Sequence, residues 1–212
     1  MNFNGIAPFY DSLSKIVFGK ALLKARICFL DRLPESGTIL YIGGGSGIGL
    51  KDIRELNPKL KIDFIEASYK FISIAKTKFD AHLSEHINFI HGTENSIDRD
   101  KKYTAVITFF IIDLFPQKEA EAFCKKIISH LEPGGIWLFT DFISPPKKYQ
   151  KLLLKFIYSF FRIVANMRAR TLPDYDNIFS QLNMKLETEQ LFHGEMICSK
   201  VLRKALSASD TF

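Results

Sequence analysis

ILYIGGGSGIGL, residues Ile39 to Leu50, sets a short apolar run against a loop with glycine at 43, 44, 45, 47 and 49. A strand that ends in such a loop and continues into a helix is a place for a nucleotide-like ligand. Glycine lacks a Cβ, so the backbone can turn sharply and a ligand can approach the N–H groups where the helix begins. Two spacings coexist in the string, G-x-G-x-G through Gly43, Gly45 and Gly47, and G-x-x-x-G-x-G through Gly43, Gly47 and Gly49. The flanking sequence has to separate them.

On the N-terminal side, Phe9 to Leu33 carries apolar residues at helical spacing until Pro34 and Gly37 interrupt it, which predicts a helical leader over residues 1–36. On the C-terminal side the pattern alternates. Strand-like runs at Lys61–Glu66, Ile87–His91, Ala105–Ile111 and Ile136–Phe142 are separated by helical stretches at Gly47–Leu56, Tyr69–Phe79 and Lys118–Leu131. Short apolar strands alternating with helices predict a parallel sheet covered on both faces. Met184–Phe192 and Met196–Leu202 lie too close together for a helical crossover and predict an antiparallel hairpin. The expected fold is therefore α/β, a single domain over residues 1–206 with a tail at 207–212.

Glu66 closes the strand that follows the loop. An acidic side chain there, about twenty residues past a Gly-rich turn, accepts hydrogen bonds from both ribose hydroxyls of a bound nucleoside. The plainer alternative is a glutamate that complements the dipole of the next helix.

The net charge of +6 is local rather than general. Residues 147–170 hold seven Lys/Arg and no Asp or Glu, which leaves the remainder at −1 and argues against a nucleic-acid-binding surface. Three widely spaced cysteines suit reduced thiols, with neither a disulfide framework nor a metal cluster. The first residues show no export pattern, so the cytoplasm is expected.

Read in order, five stretches resemble the class I S-adenosylmethionine (SAM) dependent methyltransferases. ILYIGGGSG resembles the family's first glycine loop, IEASYKFISIA its acidic strand end and helix, and INFIHGTENSI its third strand and adenine-side loop. YTAVITFFIIDLF resembles the fourth strand, and LEPGGIWLFTDF the turn into the fifth. The resemblance implies a Rossmann-like, seven-stranded, mostly parallel sheet and an enzyme that uses SAM and yields S-adenosylhomocysteine (SAH). It implies that Gly43, Gly44, Gly45 and Gly47 lie under the methionine part of the cofactor, and that Glu66, beside Ala67, takes the ribose. Thr93 and Glu94 then replace the family's usual Asp on the adenine side. Thr108, Phe109 and Phe110 flank the reactive methyl, and Tyr10 in the leader closes over the site as part of a lid. Tyr41 stands where the family usually has an acidic residue that orders the loop.

Resemblance to small-molecule and quinone-biosynthesis members implies a small, hydrophobic acceptor methylated on oxygen or carbon. Asp113, Asp141 and His193 are the candidate bases for an oxygen acceptor. Two other functions stay open. An NAD(P)-dependent short-chain reductase would fit the second glycine spacing but needs Tyr-x-x-x-Lys, and none of the seven tyrosines has Lys four residues on. Without that Lys the tyrosine lacks the cation that would lower its pKa. A catalytically silent methyltransferase-like module would fit Tyr41 and Thr93.

The basic segment, 145–170, follows Pro145-Pro146, a favourable helix entrance. At about 100° per residue, Lys147, Lys148, Lys151, Lys155 and Arg162 share one arc, while Leu152, Leu153, Phe156, Ile157, Phe160, Ile163 and Val164 lie opposite. The helix is too short in apolar residues and too charged to cross a bilayer. It is expected either to pack on the sheet or to touch an anionic membrane surface as a lid. The chain is expected to be a monomer or homodimer.

Overall fold

The computed structural model describes residues 18–79, 85–164 and 168–206; Tyr10 and the tail at 207–212 lie outside them. Seven strands form one sheet: β1 (Ser36–Ile42), β2 (Lys59–Glu66), β3 (Ile87–His91), β4 (Tyr103–Phe109), β5 (Leu131–Phe142), β6 (Met184–Phe192) and β7 (Ile197–Lys204). Among the described residues six α-helices accompany them: α1 (Ala21–Ile27), α2 (Leu50–Leu56), α3 (Tyr69–Lys76), α4 (Gln117–His130), α5 (Lys148–Val164) and α6 (Tyr175–Gln181).

The strand order is β3-β2-β1-β4-β5-β7-β6. The first five strands pair in parallel, β7 runs antiparallel to β5, and β6 pairs antiparallel with β7. The order reverses at β1, whose neighbours are β2 and β4. At such a point the loops leaving the carboxyl ends of adjacent strands diverge to opposite sides and open a crevice. The Gly loop after β1 and the Phe109–Phe110 turn after β4 are the two lips of that crevice.

Alternation along β1 shows why both faces are covered. Ile39 and Tyr41 pack into one core with Leu22 and Ala25 of α1 and Leu50 and Ile53 of α2. Leu40 and Ile42 point the other way, to Ala120, Phe123, Cys124 and Ile127 of α4 and Ile178 and Phe179 of α6. A period of two with apolar residues on both sides is the signature of a strand buried between two helical layers.

Helix α2 starts three residues later than the spacing predicts. Gly47 and Gly49 have φ of 77° and 90°, so the chain is still turning where helical periodicity had already begun. Helix α1 is fixed from below: Ser199 Oγ donates to the Ala25 carbonyl at 2.8 Å, and Thr140 Oγ1 lies 3.0 Å from Ser199 Oγ.

The basic helix buries only part of its apolar arc, with Leu153 and Ile157 packed against the core. Gln150, Leu154 and Tyr158 are buried among its described side chains, whereas Leu152 and Phe156, of the same apolar arc as Leu153 and Ile157, are 55% and 67% exposed. The reason is polar. Gln150 Nε2 donates to the Gly194 carbonyl at 2.9 Å and Tyr158 Oη donates to Asp113 at 2.6 Å, and these two bonds set the rotation of the helix.

Candidate active site

A cavity of about 370 Å³ opens at the carboxyl ends of β1, β2 and β4. Its size is that of a small-molecule site. Gly43, Gly44 and Gly45 form one wall, Glu66 and Ala67 another, and Thr93, Glu94 and Asn95 the far end; Phe109 and Phe110 face the loop across the crevice.

Two of the glycines shape the loop in different ways. A Cβ on Gly44 would lie 2.2 Å from the Phe64 ring, because the loop is drawn tightly over β2. A Cβ on Gly45, whose φ is 57°, would meet nothing within 4 Å: it would project into open space at the cavity wall. The loop thus packs hard on one side and leaves a backbone-lined cradle on the other.

Glu66 joins the loop to the next helix. Oε2 accepts from the Gly45 N–H at 2.9 Å and Oε1 from the Ser68 N–H at 2.8 Å. Burial raises its pKa, while the N–H groups of Ser68, Gly45 and Ala67 oppose that rise. A carboxylate oxygen has two acceptor sites, so each retains capacity for a ligand hydroxyl. The donors and acceptors needed by a nucleoside with vicinal hydroxyls are therefore present, and the open face of Gly45 leaves room for it.

Tyr41 takes over the ordering of the loop by the opposite polarity. Its ring is buried edge-on to Phe64 and Phe109, and its hydroxyl donates to the Ile48 carbonyl at 2.8 Å. A carboxylate at this position would accept from loop N–H groups; the tyrosine instead holds a loop carbonyl. Lys78 adds a second tie, donating to the Ser46 carbonyl at 2.7 Å.

Thr93 Oγ1 accepts from the Asn95 N–H at 3.3 Å and starts the short 3-10 turn Glu94–Ser96. The side chain of Glu94 accepts from Asn95 Nδ2. The Glu94 N–H belongs to the first turn, where N–H groups lack intrahelical acceptors.

Thr108 is a correction. It does not line the cavity: it is fully buried and its hydroxyl accepts from Trp137 Nε1 at 2.8 Å. The strand alternates, and Thr108 falls on the face opposite to Phe109. His193, at the β6–β7 turn, also stands away from the cavity, with its ring against Phe18.

Asp113 and Asp141 separate into distinct roles. Asp113 lines the cavity and accepts from Tyr158, whereas Asp141 sits behind it, fully buried and outside the lining. Asp141 Oδ2 accepts from the N–H groups of Ile112 and Asp113 at 3.0 and 3.1 Å, and Oδ1 from its neighbour Phe142. Burial raises both carboxyl pKa values, Asp141 the further because the Asp113 charge is beside it. Ionisation of Asp113 thus disfavours ionisation of the buried carboxyl of Asp141.

Sequence reasoning missed Arg26, Phe142, Ile157, Tyr158 and Arg168, all of which line the cavity. The guanidinium of Arg26 lies 4.7 Å above the Phe110 ring. Phe110 itself has a φ of 55°, a conformation rare outside glycine that turns its ring back over the crevice. The resemblance places Phe110 at the site, while its positive φ has no signal in periodicity.

Comparison with known proteins agrees with this arrangement. Residues 40–137 match the family model described as a methyltransferase domain. Malonyl-[acyl-carrier protein] O-methyltransferase 2 of Ilyobacter polytropus is 30% identical over 114 residues, 54% of this chain and 42% of the relative. O-methyltransferase 9 of Dictyostelium discoideum is 24% identical over 166 residues, 77% of this chain and 45% of the relative. The chain thus spans a little under half the length of each of these two relatives. Among solved structures, an O-methyltransferase family protein from Burkholderia thailandensis superposes with a TM-score of 0.72 at 14% identity, covering 97% of this chain and 64% of that one. Glycine loop, acidic strand end, strand order and sequence relatives all resemble those of the class I SAM-dependent methyltransferases, and the match to the methyltransferase-domain family spans residues 40–137 of the chain.

Proposed function

We propose that the chain transfers the methyl group of SAM to a small, apolar acceptor, and that the methylated atom is oxygen. One observation carries this reading: a single cavity joins the Gly45–Glu66 cradle to an apolar compartment of Phe109, Phe110, Phe115 and Phe142 that contains the carboxyl of Asp113. The names of both sequence relatives specify O-methylation, which is a further support.

When bound, SAM would supply an electrophilic methyl carbon on a sulfonium that is already an activated leaving group. The protein's task is placement. Glu66 accepts from the ribose hydroxyls, the backbone of Gly43–Gly45 runs beneath the methionine portion, and the 93–95 turn borders the adenine. The phenylalanines exclude water from the reacting atoms. Holding acceptor and methyl in line contributes on the order of 7 kcal/mol or more. The chemistry SAM would supply is transfer of its methyl carbon to the acceptor oxygen with loss of SAH as the leaving group, and the chain's residues would hold the two in line. The hydroxyl proton passes to the carboxylate of Asp113 in the cavity lining, whose burial raises its affinity for a proton. Tyr158 steadies Asp113 from α5.

Calorimetric titration with SAM, SAH and NADPH tests the reading. Binding of SAM and SAH without NADPH is expected. Binding of NADPH in place of SAM would replace it with a reductase, and binding of none of the three would leave a silent module.

A further inference from the structure

Helix α5 carries an apolar stripe that stands exposed among the described residues. Tyr149, Leu152 and Phe156 are 65%, 55% and 67% exposed and fall three to four residues apart, on one helical face. Lys148, Lys151 and Lys155 are exposed one residue before each of them, and Lys147 is exposed at the helix entrance. No Asp or Glu occurs anywhere in 147–170. Lysines in the first turn oppose the helix dipole, so the arrangement costs the isolated fold some stability.

We propose that this face of α5 lies in the surface of an anionic lipid bilayer, with Tyr149, Leu152 and Phe156 inserted among the acyl chains and the lysines held at the headgroups. The pattern has both parts of an interfacial helix, an apolar strip at helical spacing and a flank of cations without acids. Charge complementarity selects the bilayer over a second copy of the chain, which would place one lysine row against another. No helix among the described residues is long and apolar enough to cross a membrane, so the contact is peripheral.

The same helix forms a wall of the cavity. Ile157 lines it, and Tyr158 reaches Asp113 at 2.6 Å. A bilayer-seated α5 therefore stands between the membrane and the apolar compartment, where a lipid-soluble acceptor would enter. The docking itself does not depend on the methyl-transfer reading.

The test is co-sedimentation of the full chain with phosphatidylcholine vesicles, with and without phosphatidylglycerol. Pelleting is expected only with the anionic vesicles, and to fall as salt rises. Leu152→Ser with Phe156→Ser, and separately Lys151→Glu with Lys155→Glu, should each weaken partitioning about tenfold or more. All four positions are exposed, so both variants should keep the wild-type melting temperature. Absence of pelleting with anionic vesicles at low salt would overturn the proposal, as would pelleting that both double variants retain. Retention by the Leu152/Phe156 variant alone would also overturn it, since adsorption would then be electrostatic without insertion. Concentration-dependent self-association that this variant abolishes, without vesicle binding, would assign the stripe to a second copy of the chain. Failure of SAM to bind would leave the vesicle result untouched, so the two readings fail separately.

Discussion

At the scale of single residues, the candidate site is held by a few side chains that each do two things. Tyr41 fills the core under the loop and donates to Ile48, so Tyr41→Phe keeps the ring contacts and loses only the tie. The expected cost is roughly 1 kcal/mol of stability, read from chemical denaturation, with weaker SAM binding as the loop loosens. The Asp113–Asp141 pair has folded pKa values above the ordinary carboxylate value. The folded state therefore binds protons that the unfolded chain has released. The pair's contribution to stability is complete below the unfolded pKa and is lost as pH rises through the folded values. Asp113→Asn should flatten that part of a melting-temperature profile. In turnover the sign is reversed, because proton acceptance needs the ionised form: kcat should rise with pH through the raised value. The hydroxyl of Tyr158 lowers the Asp113 pKa, so Tyr158→Phe should move this acid limb to higher pH. A change in kcat with no shift of the limb would show that Asp113 is not the titrating group.

At the scale of elements, legibility followed the range of the interaction that fixes each one. β1, the Gly loop and β2 were readable because local rules set them: strand alternation, positive φ at glycine and an acidic residue in phase with a strand end. The β6–β7 hairpin was readable for the same reason, since only a short turn joins its strands. Thr108 was misplaced because a resemblance identifies a strand end more readily than the parity of the side chain, and one residue separates the cavity lip from the Trp137 contact. Helix α5 was readable as amphipathic but not in rotation. Periodicity locates the most apolar arc, yet hydrogen bonds to Asp113 and to the Gly194 carbonyl decided which side is buried. Arg26 was invisible for a related reason: its place over the Phe110 ring depends on α1 being tied through Ala25 to β5 and β7, across most of the chain.

At the scale of the molecule, the sheet order explains why the cavity lies where it does, since the reversal beside β1 separates the Gly loop from the β4 turn. A ligand that fills the crevice binds across β1, β2 and β4 and should stabilise the whole sheet. At about 100 times its Kd, SAH should add about 2.7 kcal/mol to unfolding, a rise in Tm of several degrees that NADPH should not reproduce. The central claim is that Glu66 and the Gly loop together hold the nucleoside of SAM, and calorimetric titration of SAH into wild-type and Glu66→Ala protein addresses it most directly. Loss of hydrogen bonds to a charged acceptor corresponds to roughly 1.5 to 3 kcal/mol, so the variant should bind about ten to a hundred times more weakly, at one site per chain. Equal affinity in the two proteins, or no binding of SAH to the wild type, would contradict the account.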